Sequence, residues 1–145
     1  AVDDIRAAVG RSSSQTVFDF CDAVIDGNST KALSALADLI RSERQVLAIL
    51  GTLATKLRRV MEARVMLDGG STQDEAATAL VGGNPKVKWK EARTAAQASR
   101  LSQMQIAAML SRIARADLDI KTGLMSESLA IEVLISDLCV RQKLQ

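Results

Sequence analysis

Apolar side chains recur every three or four positions along nearly the whole chain, and that rhythm predicts helices. A short helix is predicted from Val2 to Val9, with Asp3 and Asp4 favourably placed in its first turn. The next runs from about Val17 to Ile25, with Val17, Phe18, Cys21, Val24 and Ile25 on its apolar side. Gly27-Asn28 ends it, and Ser29 caps a third helix to Arg41 that buries Leu33, Leu36, Leu39 and Ile40. A long helix comes next, from about Glu43 to Leu67, striped by Val46, Leu47, Leu50, Leu53, Leu57, Val60, Met61 and Val65. Gly51 inside it costs about 1 kcal/mol against Ala, a cost that a close helix crossing would explain.

Beyond Gly69-Gly70, Thr72 and Glu75 have the spacing of a capping box and open a short helix to about Leu80. After Gly82-Gly83, Asn84-Pro85 starts another helix that ends near Ser99, with Asn as cap and Pro in the first turn. Ser102 and Gln105 repeat the capping box ahead of a helix to about Thr122. The last helix, from about Glu127 to Gln142, is apolar nearly all round. Such a helix is either central to the core or shared with a neighbouring subunit. The expectation is an all-α bundle of six or seven helices and no strand. Gly10-Arg11-Ser12-Ser13-Ser14 is the most linker-like segment, and a domain boundary is placed there.

Composition agrees with this picture. Of 145 residues, 48% are hydrophobic and 2% aromatic, with a single Pro, so aliphatic side chains do the packing and few residues break helices. No apolar run reaches the ~18 residues of a membrane span, and no signal peptide is visible. The chain opens on Ala within a helical pattern, which implies a piece of a longer protein. Cys21 and Cys139 sit in apolar patterns and are expected to be buried thiols in a reducing cytoplasm. The net charge of +2 is unevenly spread: residues 41–100 carry eleven basic and six acidic side chains, so any nucleic-acid footprint belongs there.

The chemistry of catalysis is missing. Histidine is absent, removing the commonest general base and metal ligand together. There is no phosphate-binding glycine loop ending in Lys-Ser or Lys-Thr, and neither cysteine has an evident activating partner. No catalytic, cofactor or metal site is expected.

Two basic constellations remain. Residues 72–99 imitate a helix-turn-helix: two short helices, glycines in the turn, and Lys86, Lys88 and Lys90 on the second. Few side chains there read base edges, so non-specific phosphate contact by Lys86, Lys90 and Arg93 is the better reading. The bland alternative is a bundle turn with solvated lysines and a half-buried Trp89. Lys56, Arg58, Arg59 and Arg64 form the second constellation, either a solvated face, salt-bridge partners for Glu62 and Asp68, or a contact between subunits.

One string is more specific. Ala116-Asp117-Leu118-Asp119-Ile120-Lys121-Thr122-Gly123 closes the penultimate helix: Asp117 and Lys121 can pair four residues apart, and Gly123 suits a left-handed turn after the last helical residue. Leu124 and Met125 are then expected to seal the hairpin. This string resembles the C-terminal signature of the DNA polymerase III delta subunit family, a component of the bacterial sliding-clamp loader. Val2 to Gly10, Val17-Phe18-Asp19-Phe20, Lys31-Ala32-Leu33 and Ala48-Ile49-Leu50 with Leu57-Arg58 resemble earlier parts of the same family in the same order.

The resemblance implies that residues 1–12 end an AAA+-like module and that 13–145 form a helical collar domain. It implies a non-catalytic role in DNA replication, assembling the loader that places the sliding clamp on primed DNA. The implied partners are the tau/gamma and delta-prime subunits, through surfaces including Leu129, Ile131, Ile135 and Leu138. Primer–template DNA lies beneath the collar in this family, which gives the Leu124-Met125 tip a second reading, abutting DNA bases, behind that of sealing the hairpin; the beta clamp is met only by the N-terminal module. The rival from another class is the helix-turn-helix module of residues 72–99, and a third reading is an unrelated helical adaptor.

Overall fold

The computed structural model describes residues 13–143, with side chains from 15 to 140. Among them the helical rhythm is realised as α1 (Ser13–Ile25), α2 (Ser29–Arg41), α3 (Val46–Asp68), α4 (Gln73–Val81), α5 (Lys88–Ser99), α6 (Gln103–Lys121) and α7 (Glu127–Lys143). A three-residue 3-10 turn, Pro85–Val87, precedes α5, and no strand occurs among the described residues. The expected helix from Val2 to Val9 lies outside the described residues. Ser13 and Ser14, read as linker, are already helical.

Helix ends obey local chemistry closely. The Thr72 hydroxyl accepts from the Glu75 amide at 3.1 Å, and the Glu75 carboxylate accepts from the Thr72 amide at 3.1 Å. Ser102 and Gln105 do the same at 3.1 and 2.8 Å. These reciprocal bonds satisfy amides that the first helical turn leaves without partners. Asn28, rather than Ser29, caps α2, its side chain accepting from the Lys31 amide at 3.1 Å.

Two starts differ from expectation. α3 begins at Val46 instead of Glu43, because Glu43 has φ 58° and closes α2. Its amide donates to Ile40 O and that of Arg44 to Leu39 O, both at 3.0 Å, the two bonds of a Schellman ending. Asn84 does act as a cap, accepting from the Lys86 amide at 3.1 Å, but the tighter 3-10 turn intervenes before α5.

The chain divides into two units, leaving the first within α3 at Thr52 and returning within α6 at Ala116. In the first, α1 packs on α2, and α7 packs on both. Its core includes Phe20, Val24, Leu36, Leu39, Ile49, Ile131, Ile135 and Leu138. Cys21 and Cys139 are buried thiols there, as expected. In the second, residues 53–115, α4 packs on α5 through small side chains. Ala76, Ala77, Ala95 and Ala98 are all nearly inaccessible, and Leu57, Val60 and Ile106 complete the core.

Gly51 is not explained by a close crossing. A β-carbon placed on it meets nothing within 4 Å, and the residue is exposed. Among the described residues no helix is long and apolar enough to cross a membrane.

Candidate assembly face and basic face

The all-round apolar pattern of α7 resolves into two stripes. Ala130, Ile131, Leu134, Ile135, Leu138 and Cys139 face inward and are buried. Ile131, Ile135 and Leu138, expected at a contact between subunits, are therefore committed to the core of their own unit; Ile131 is 0% exposed. The fourth expected residue, Leu129, is 49% exposed and lies with Val133 and Val140, also about half exposed. Leu129, Val133, Ser136 and Val140 fall at i, i+4, i+7 and i+11, the alternating spacing of a helix–helix seam. With Glu132 and Asp137 on its flanks, this stripe forms an open apolar depression along α7. Sequence reasoning found the apolar excess but not which stripe the core would claim.

The hairpin before α7 is built as its signature implied. Lys121 Nζ meets Asp117 Oδ2 at 2.8 Å. Gly123 has φ 75°, and its amide donates to Ile120 O at 3.1 Å. A side chain there would be strained by its own carbonyl, which is why the turn calls for Gly. Leu124 does not seal the hairpin, being 68% exposed.

The second unit uses most of its basic constellation internally. Lys56, Arg59 and Arg64 reach from α3 to α5. Lys56 donates to the Thr94 hydroxyl at 2.9 Å. Arg59 donates to Glu91 Oε1 at 2.9 Å and to Leu80 O at 2.8 Å, tying α4 into the same joint. Arg64 donates to Ala98 O at 3.0 Å and through Nε to Asp68 at 3.0 Å. Gln103 completes that cluster with a 2.7 Å bond to the other Asp68 oxygen. The hydrogen bonds from Arg64 and then Gln103 hold the Asp68 carboxyl below its ordinary value of 3.8. Arg64 thus bears out the salt-bridge reading at Asp68, while Arg59 spends donors on Glu91 and Leu80 and keeps 39% of its side chain in solvent. Arg58 alone of the four is exposed.

α5 shows a different outer surface. Lys86, Lys88, Lys90 and Arg93 are exposed. Trp89 is not half-buried as expected but 64% exposed, with Lys90 Nζ 5.5 Å from its ring centroid. Lys88 lies 3.4 Å from Asp74 of α4. The one amide side chain of the helix, Gln97, is buried. With Gln97 inside, α5 shows no amide side chain that could pair with an adenine edge, and its exposed polar groups are mainly phosphate-binding cations. Among the described residues no group of three or more His, Cys, Asp or Glu could hold a metal ion.

Comparisons with known proteins match nearly the whole chain. The family model for the C-terminal domain of the DNA polymerase III delta subunit matches residues 14–138. The Bacillus subtilis DNA polymerase III subunit delta is 22% identical over 143 residues, 98% of this chain and 40% of that protein. The solved Bacillus subtilis DNA clamp loader delta protein superposes with a TM-score of 0.71 over 94% of this chain and 39% of its own, at 22% identity. The chain thus spans about two fifths of the length of these relatives. Neither match supports a helix-turn-helix module. With an all-helical fold, the Asp117–Lys121 hairpin in place and the family model covering most of its length, this chain belongs to the family formed by the C-terminal domain of the DNA polymerase III delta subunit.

Proposed function

We propose that this chain is the non-catalytic collar of a clamp-loader delta subunit, joining it to other loader subunits in the cytoplasm during DNA replication. Residues 13–145 form the collar in this reading, and residues 1–12 end the preceding AAA+-like module. The observation that carries it is the outward stripe of α7, Leu129, Val133 and Val140, at seam spacing on a helix whose opposite side is already buried. An apolar row of that kind on a domain surface favours a partner. Acidic Glu132 and Asp137 beside it favour a partner helix with an apolar seam and basic flanks. The tau/gamma and delta-prime subunits are the partners this reading names. Contact with the beta clamp belongs to the N-terminal module and not to this domain.

The test is Val133→Asp with Leu129→Asp in the full-length subunit, mixed with tau/gamma and delta-prime and run on a sizing column. Assembly should fall by at least tenfold while the helical circular dichroism is unchanged, since both side chains already meet solvent. Undiminished assembly by a folded variant would remove the proposal.

A further inference from the structure

Assembly through α7 leaves the outer face of α5 unexplained. Trp89 is the chain's single tryptophan, and it stands 64% exposed. The segment from Gly82 to Arg100 contains one acidic residue, Glu91, which is turned inward onto Arg59. The charges this segment shows to solvent are therefore all basic. Arg93 comes four residues after Trp89 and shares its side of the helix. Lys90 holds its ammonium beside the indole, and Lys86 lies in the 3-10 turn just before.

We propose that Trp89, Lys86, Lys90 and Arg93 form a platform for single-stranded nucleic acid, with one unpaired base on the indole and flanking phosphates on the three cations. The pairing of an exposed aromatic with a basic track is what sequence-tolerant single-strand binding requires. A duplex offers no free base face to the indole, and the buried Gln97 leaves the helix without a groove-reading amide. An acidic protein partner would satisfy the lysines but gives no role to an indole left 64% exposed. This inference is independent of the α7 seam.

Labelled oligothymidylate is titrated with the chain by fluorescence anisotropy, and unlabelled oligomer is followed by Trp89 emission. Binding should quench the tryptophan. The affinity should fall with salt at a slope near −2, for roughly three phosphates on a single strand. Trp89→Ala should weaken binding on the order of tenfold, and Trp89→Phe should restore most of it. Duplex of equal length should bind more weakly. Unquenched emission at saturating oligomer overturns the platform, as does tight binding indifferent to Trp89→Ala. Emission that responds to the tau/gamma subunit and not to oligomer also overturns it and assigns the face to a protein. All variants are checked by circular dichroism, and the exposed position of Trp89 makes a folding failure unexpected.

Discussion

Arg59 is the joint of the second unit, and its removal should be unequal to the removal of its partner. The guanidinium donates to Glu91 Oε1 at 2.9 Å and to Leu80 O at 2.8 Å. The Glu91 side chain is 11% exposed against 39% for Arg59. Its second oxygen is buried with no hydrogen-bond partner among the described residues. Breaking a fully buried ion pair costs about 3–5 kcal/mol, because one charge stays behind in a poor solvent. Water reaches Arg59, so the cost of Arg59→Ala is discounted to about 2–3 kcal/mol. That loss lowers the melting midpoint by about 5–10 °C in a domain of this size. Glu91→Gln keeps the acceptor and leaves a half-exposed guanidinium, costing only about 1 kcal/mol. In the Arg59→Ala background the same Glu91→Gln should instead recover stability, since it neutralises the stranded carboxylate. Urea denaturation followed by circular dichroism and by Trp89 emission measures the parent, both single variants and the double variant. If Glu91→Gln costs as much without Arg59 as with it, the argument from a buried, singly supported carboxylate is wrong.

Gly51→Ala should stabilise the chain by about 0.5–1 kcal/mol in the same urea assay, because the added methyl meets nothing within 4 Å and the helix gains propensity. Asp68, held below its ordinary value by Arg64 and Gln103, contributes stability that is fully present above about 3.8 and is lost as pH falls through its lowered folded value. Asp68→Asn should therefore flatten the acid limb of the stability profile below that pH, measured by midpoint against pH from neutral downwards, and leave a smaller difference between pH 7 and acid.

Features that depend on neighbours within four residues were legible in the chain alone. The two capping boxes, the Asp117–Lys121 pair, the left-handed Gly123 and most of the helix ends rest on short-range hydrogen bonds whose geometry the residue types dictate. Glu43 escaped because the αL position it fills is one that Gly usually marks, so its role was hidden behind an ordinary helix-forming side chain. The family was legible as a resemblance of several segments in one order, the string around Asp117 being the most specific of them.

Packing across distant segments settled the allocation among chemically equivalent groups. α7 has more apolar residues than one core can use, and only contact with α1 and α2 chose Ile131, Ile135 and Leu138 over Leu129, Val133 and Val140. Four basic residues on α3 look alike as letters, yet Lys56, Arg59 and Arg64 spend donors on α5 while Arg58 meets solvent. Hydrophobicity alone predicts partial burial for Trp89, and the fold leaves it outside. Burial is a competition for limited interior volume, won by whichever faces meet in three dimensions, and a one-dimensional pattern carries the names of the competitors without the result.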